Sequence, residues 1–245
     1  MILGVDLEEK HCYFDNYYIN VHGTQIQNGK NFYFRQTSNK CYDYNIMDFD
    51  KIVIEILYMF PYGKEAPYEK IVFSLKDVKI KEVKHSVKIH QHKEVGKDDI
   101  ELLMKEVLEL NKNEVYEHEI IQILPFAFGL DSVGEVNDPL GKKGATLEVS
   151  ANIIYARKEK LDFMRKIIKK LGTSAKSYNF VYSEYAKMIA KLEADKIETY
   201  NEYYKRTYST DFWFDELLFG LCLYGRGYNA LYEVDSNGDV LLKGF

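Results

Sequence analysis

The spacing of apolar and polar positions predicts an α/β unit in the first third of the chain. Compact apolar runs at Ile2–Leu7 and Ile71–Leu75 predict buried strands, and the apolar spacing after Asp50 predicts a helix that lies between them. Asn28-Gly29, which precedes the aromatic run 32–34, is typical of a hairpin turn. Strands on either side of a helix at this spacing indicate a layered α/β unit.

A different pattern begins near residue 78. Alternating apolar and polar residues from Val78 to Ile89 predict a half-exposed strand, and Asp98 with Glu101 forms a capping-box-like start for a helix. Two strands follow, and strict alternation over Leu147–Tyr155 gives the second one a single buried face. A helix that ends at Gly172 completes the series. The order strand, helix, strand, strand, helix predicts a compact unit inserted into a larger one.

The last part of the chain is predicted to open with an amphipathic helix over about residues 181–192. We then expect an apolar strand at Phe219–Tyr224 and a hairpin turned by Ser236-Asn237-Gly238. Together the three parts predict an α/β fold with one insertion.

Composition and charge narrow the function classes. The 245 residues suffice for one large or two modest domains, and the net charge of −5 with mixed signs argues against a nucleic-acid binder. Cys12, Cys41 and Cys222 lie far apart and are odd in number, as expected for reduced thiols in the cytoplasm. The sequence shows neither a signal peptide nor an apolar stretch of membrane-spanning length, so we expect a cytoplasmic protein.

Two groups of residues suggest chemistry at first sight. His85, His90 and His92 lack further ligands at zinc-like spacing, so exposed positions on an edge strand explain them better than a metal site. Nothing in the sequence has the pattern of a nucleophile paired with a histidine. The aromatic residues between 200 and 214 fit core or interface packing better than base stacking, given the net charge.

Four motifs follow one another in order over 30 residues, and the resemblance they carry needs no gap: Glu119–Pro125, Phe128–Asp131, Asn137–Gly141 and Gly144–Glu148. This series resembles the inserted subdomain, 1C, of the FtsA family of bacterial cell-division proteins. That subdomain has a strand ending in Ile-Pro, a hydrophobic-Asp step, an Asn-Pro-Leu/Val-Gly turn, a glycine and an outgoing strand.

The resemblance implies a fold and domain boundaries. It implies a split actin-like (ribonuclease H-like) subdomain 1A at residues 1–79 and 176–245, and an inserted α+β subdomain 1C at residues 80–175. The run Phe219–Tyr224 lies where subdomain 1A of the family begins its second β-meander.

Both phosphate-binding turns of the actin-like ATPases are degenerate here. Where the family has Asp-x-Gly-Ser/Thr, Asp6 is kept, but Glu8 replaces the glycine and Glu9 the hydroxyl. Each carboxylate close to a polyphosphate costs on the order of 1 kcal/mol even in high dielectric. The second turn keeps only Gly225 and Gly227 and has lost its acidic residue. We therefore expect no cofactor and no ATP hydrolysis, with magnesium-ATP binding at Asp6 and these glycines as the alternative.

The resemblance implies a non-catalytic adaptor of the division machinery. In the family the inserted subdomain is implicated in contacts with neighbouring subunits and other division proteins, so FtsZ, FtsA-like subunits and further copies of the chain are the candidate partners. We expect the protein beneath the membrane at the division site, reaching the membrane only through partners. The alternatives are an actin-like ATPase and the cytoplasmic actin-like component of a type IV pilus or secretion machine.

One loop is the candidate partner-binding site. It exposes a leucine beside two lysines, and the alternative is a plain hairpin connection in which proline and glycine set the backbone angles. Its candidate binding residues are Asn137, Pro139, Leu140, Gly141, Lys142 and Lys143.

Overall fold

A computed structural model describes residues 2–12, 16–27, 31–37, 42–43, 49–58, 68–89, 94–113, 115–193, 216–223 and 228–245. Side chains are described for most of these positions, with those of residues 8–43 left out. The strands are β1 (Ile2–Cys12), β2 (Asn16–Gln27), β3 (Asn31–Thr37), β4 (Tyr42–Asp43), β5 (Tyr68–Leu75), β6 (Val78–Lys88), β7 (His118–Leu130), β8 (Gly134–Val136), β9 (Thr146–Arg157), β10 (Ala175–Tyr182), β11 (Tyr228–Asn229), β12 (Leu231–Val234) and β13 (Val240–Gly244). The helices are α1 (Phe49–Tyr58), α2 (Lys97–Asn111), α3 (Lys158–Leu171), α4 (Ser183–Leu192) and α5 (Glu216–Leu223).

The chain divides into two compact units. The first unit is split in sequence and comprises residues 1–76, 160–225 and 229–245. The second comprises residues 77–159 and 226–228. No helix in the described part of the chain is long and apolar enough to cross a membrane.

The sheet of the first unit has the order β13-β12-β10-β5-β1-β2-β3, with β4 beside β2. Strands β1, β5 and β10 run parallel to one another, whereas β2 and β3 continue from β1 as an antiparallel meander. A three-stranded meander followed by two parallel strands on the other side of β1 is the order of an actin-like, ribonuclease H-like subdomain. The α/β fold class predicted from the sequence is therefore confirmed.

Aromatic side chains fill the core of the first unit. The ring of Phe180 on β10 lies 6.2 Å from that of Phe73 on β5 and 5.1 Å from that of Tyr232 on β12. All three side chains are buried. Rings on adjacent strands thus link the parallel centre of the sheet to its antiparallel edge, and such pairs stabilise a sheet beyond their buried area.

The prediction of a strand at Phe219–Tyr224 is wrong, because the structure has helix α5 there. The side chains of Leu217, Leu218, Leu221 and Cys222 are buried, and every residue of this helix after Glu216 is apolar or glycine. A short apolar run bounded by turn residues fits a buried strand as well as a buried helix, and periodicity alone does not separate the two.

The second unit is an antiparallel sheet with the order β11-β7-β9-β6, in which β8 pairs with β7. Helix α2 covers one face of this sheet with the buried side chains of Leu103, Met104 and Val107. The alternation predicted over Leu147–Tyr155 is present, since these odd-numbered residues of β9 are all buried. This sheet and helix form the α+β unit that the sequence predicts.

Helix α3 marks a difference between the predicted boundaries and the compact units. The sequence prediction ends the insertion at residue 175, whereas the continuous segment 77–159 of the second unit ends at Glu159. Within the first unit, the ring of Phe163 lies 5.3 Å from that of Phe49, and Lys170 forms an ion pair of 2.7 Å with Asp50. The amphipathic pattern of α3 predicts a buried face but does not say which sheet or helix covers it.

Candidate functional site

The loop between β8 and β9 is a tight, internally bonded turn. The N–H of Lys142 donates to the carbonyl oxygen of Pro139 at 3.1 Å, and Gly141 has a φ of 74°. A type II turn requires a positive φ at its third position, which glycine adopts without strain. The N–H of Leu140 also donates to Oδ1 of Asp138 at 3.0 Å. The prolines and glycines singled out in the sequence therefore do set the backbone here.

Two neighbouring segments hold the loop in place. The chain around Val95 pairs with it, because the N–H of Gly141 donates to the Val95 carbonyl and the N–H of Val95 donates to the Lys142 carbonyl, each at 2.9 Å. At the other end, Oδ1 of Asp131 accepts the N–H groups of Ala145 at 2.8 Å and Thr146 at 3.0 Å. This explains the aspartate in the hydrophobic-Asp step of the motif.

Gly144 is required by a close approach rather than by its backbone angle. A Cβ at this position would lie 2.9 Å from Cδ2 of Leu130 and 3.0 Å from Oδ1 of Asp131. Both contacts are tighter than nearly all real Cβ contacts, so a larger residue would require the side chains of Leu130 and Asp131 to shift.

The loop presents an apolar residue flanked by positive charge. Leu140 is 45% exposed, Lys142 and Lys143 are exposed, and Pro139 beneath them is buried. In the part of the chain that the structure describes, neither lysine side chain forms an ion pair. Val133, which sequence reasoning missed, is 59% exposed in the adjoining turn, where Ser132 Oγ donates to the Lys143 carbonyl. Asn137 is exposed at the start of the loop.

Asp6 lies buried beside polar groups that satisfy its carboxylate. The parallel pairing of Val5 with Phe73 places Asp6 next to Ser74, whose hydroxyl donates to Oδ1 of Asp6. Nζ of Lys76 lies 3.1 Å from Oδ2 of Asp6. Sequence reasoning missed these two neighbours, because they lie some 70 positions away and only the strand register brings them together.

A second lysine lies near the same carboxylate. Burial lowers the pKa of Lys160 to about 8, and the negative charge of Asp6 opposes that shift. The side chains of Lys76 and Lys160 therefore place positive charge close to the Asp6 carboxylate.

The backbone departs from a phosphate-binding turn at the first predicted position. Strand β1 continues through Glu8 and Glu9 to Cys12, and its pairing with β2 runs without a register shift from Ile2 opposite Ile26 to Cys12 opposite Asn16. An extended, paired backbone does not turn its amide groups toward one anion as a tight turn does. Gly225 and Gly227 lie outside the described residues.

The structure describes some of the remaining candidate residues and not others. His85 lies 2.8 Å from a carboxylate oxygen of Glu106, whereas His90, His92 and the aromatic segment 200–214 lie outside the described residues. Among the residues that are described, no three His, Cys, Asp or Glu side chains come together as metal ligands would. Cys222 is buried, which raises the pKa of its thiol to about 12.

Comparison with known proteins identifies the second unit. Residues 76–155 match the family described as the SHS2 domain inserted in FtsA. The cell division protein FtsA of Helicobacter pylori, from strains 26695 and J99, is 40% identical over 79 residues, which is 32% of this chain and 15% of the length of those relatives.

A solved structure of a PilM-PilN type IV pilus biogenesis complex is similar with a TM-score of 0.45 and 11% identity, covering 79% of this chain and 50% of that one. A likeness this distant supports no conclusion about the chain. The FtsA matches agree with the motif series from Glu119 to Glu148 and with the sheet and helix that these residues build. Over residues 76–155 the chain is therefore similar to FtsA, in the part of FtsA that forms its inserted SHS2 domain.

Proposed function

We propose that this protein is a non-catalytic adaptor of the bacterial cell-division machinery and that it binds partner proteins through loop 137–144 of its SHS2 domain. The observation that carries the proposal is the match of residues 76–155 to the SHS2 domain inserted in FtsA. We expect the partners to be other division proteins, with FtsZ, FtsA-like subunits and a second copy of this chain as candidates. The protein would act at the cytoplasmic face of the division site and reach the membrane through those partners.

The geometry of the loop supports a docking role. Hydrogen bonds to the Val95 segment and to Asp131 fix the backbone before any partner arrives. A fixed loop loses little conformational entropy on binding, and an exposed leucine beside lysines offers apolar contact together with charge. Asn137, Pro139 and Gly141 would shape this surface, while Leu140, Lys142 and Lys143 would contact the partner.

The surroundings of Asp6 support the non-catalytic part of the proposal. Its carboxylate is bonded to Ser74 and Lys76, and β1 runs straight through the two glutamates that follow. We expect isothermal titration calorimetry to give no heat of binding with magnesium-ATP at millimolar concentration. Saturable heat that disappears in Asp6→Asn would overturn this part and would favour an ATPase with working, although altered, loops.

Site-specific cross-linking tests the docking role. A photo-reactive amino acid in place of Leu140 should cross-link division proteins in growing cells, and mass spectrometry would identify them. The matched control is Leu110 on α2, which is 66% exposed in the same unit and should not give those products. Equal yields from the two positions, or pilus and secretion components captured at Leu140, would contradict the proposal.

A further inference from the structure

Strand β6 forms a long edge of the sheet in the second unit. It has eleven residues, and in the described part of the chain β9 is its one neighbouring strand. The pairing of β6 with β9 runs without a register shift from Val78 opposite Ala156 to Lys88 opposite Thr146. An edge strand of this length offers a continuous row of backbone donors and acceptors to an incoming chain.

The register shows which backbone groups face outward. The N–H of Ile89 donates to the carbonyl oxygen of Ala145, the residue opposite it, at 2.7 Å. Successive residues of an antiparallel strand direct their N–H and C=O groups to alternate sides. The odd-numbered residues of β6 therefore bond to β9. The even-numbered ones, from Ile80 to Lys88, direct their N–H and C=O groups away from it.

The side chains of β6 also alternate between the two faces of the sheet, and these faces differ in exposure. The odd-numbered side chains lie on the face that α2 covers, where His85 contacts Glu106 and Lys81 contacts Asn111. The even-numbered side chains from Ile80 to Lys88 are exposed, whereas the odd-numbered ones from Lys81 to Val87 are half-buried or buried. An added strand would therefore find the outward backbone groups accessible along most of β6.

The positive charge of β6 indicates which kind of segment this edge would bind. Strand β6 carries four lysines and one glutamate, with lysines at 79, 81, 84 and 88. Lysines on an edge strand disfavour pairing with an identical edge, since two such strands would repel each other. They attract an extended segment rich in aspartate or glutamate, whose side chains would lie opposite them.

We propose that the β6 edge binds an extended acidic segment of a partner protein by adding it to the sheet as a further strand. Backbone hydrogen bonds at the outward-facing residues would supply affinity, and the lysines would supply preference for acidic residues. This surface is separate from the loop at Leu140, and the proposal does not depend on a role in cell division.

Model peptides test the proposal on the full chain. The probes are two fluorescein-labelled ten-residue peptides in which valine alternates with glutamate in one and with lysine in the other. Fluorescence anisotropy at low salt should give at least tenfold tighter binding for the glutamate peptide. In Lys79→Glu/Lys88→Glu this preference should be lost or reversed, because the two replaced lysines are exposed and lie at opposite ends of the strand.

Amide hydrogen exchange distinguishes strand addition from general attraction of charge. On saturation with the glutamate peptide, exchange at Ile80, Lys84 and Ser86 should slow at least tenfold. Ser86→Pro removes one outward N–H and should weaken binding, while Ser86→Thr should not; circular dichroism checks that both variants fold. Equal binding of the two peptides, no binding of either, or binding without slower exchange at these amides would each overturn the proposal.

Discussion

At Gly220 there is no space for a side chain. A Cβ built on this residue would lie 1.7 Å from the carbonyl oxygen of Ala186, so α5 crosses α4 at backbone contact. We predict that Gly220→Ala destabilises the protein by about 3 kcal/mol, since the helices must separate and the better helix propensity of alanine regains only about 1 kcal/mol. Urea unfolding monitored by circular dichroism measures the loss.

Gly244→Ala is the matched control for that substitution. Nothing lies within 4 Å of a Cβ at Gly244, and its φ is not in the positive range. We expect its free energy of unfolding to stay within about 0.5 kcal/mol of wild type. Equal stability of the two variants would show that α5 does not pack on α4 as described.

Lys160 gives the second prediction at the scale of single residues. Burial lowers its folded-state pKa to about 8, below its usual value near 10.4 in an unfolded chain. Between these two values the unfolded state binds more protons at Lys160 than the folded state does, so this group makes stability rise with pH from about 8 to about 10.4.

Other buried groups act in the opposite direction over the same range. Burial raises the pKa values of Cys222 and Tyr68 to about 12, so their contribution to stability falls as pH rises above their unfolded values. The comparison with Lys160→Met isolates the lysine. From pH 8 to pH 10, wild type should gain stability relative to the variant, as measured by urea unfolding at each pH. A constant difference between the two proteins would contradict the half-buried position of Lys160 and the lowered pKa that results from it.

Among the structural elements, the loop after β8 depends on Asp131. Its Oδ1 accepts two backbone N–H groups, each worth about 1 kcal/mol. We predict that Asp131→Ala speeds amide exchange at Ala145 and Thr146 by at least tenfold, whereas Asp131→Asn keeps an acceptor oxygen and changes it less. Exchange in Asp131→Ala as slow as in wild type would mean that the turn holds itself without the aspartate.

The elements also show what the sequence can and cannot predict. Strand β9 and helix α2 follow from their patterns, because buried apolar residues recur at a regular spacing along each. Helix α5 was mistaken for a strand because it is apolar on all sides. The position of α3 depends on Phe49, more than a hundred residues earlier, and no local pattern contains that information.

The same limit applies to the candidate sites. The turn at Pro139 and Gly141 is formed by residues that are adjacent in the sequence, so the sequence alone is sufficient to predict it. The contacts of Asp6 with Ser74 and Lys76 arise only once β1 and β5 pair. The sequence therefore shows that the phosphate-binding motif is degenerate, but it does not show which side chains surround Asp6.

At the scale of the whole molecule, we propose that the SHS2 domain docks this protein to the division machinery. The measurement that tests it most directly is the position of a fluorescent fusion in dividing cells of the source organism. We predict a band at midcell that follows the constriction, and its loss in Leu140→Asp/Lys142→Glu/Lys143→Glu at unchanged protein level. Polar foci or a uniform signal from the wild-type fusion would contradict the account.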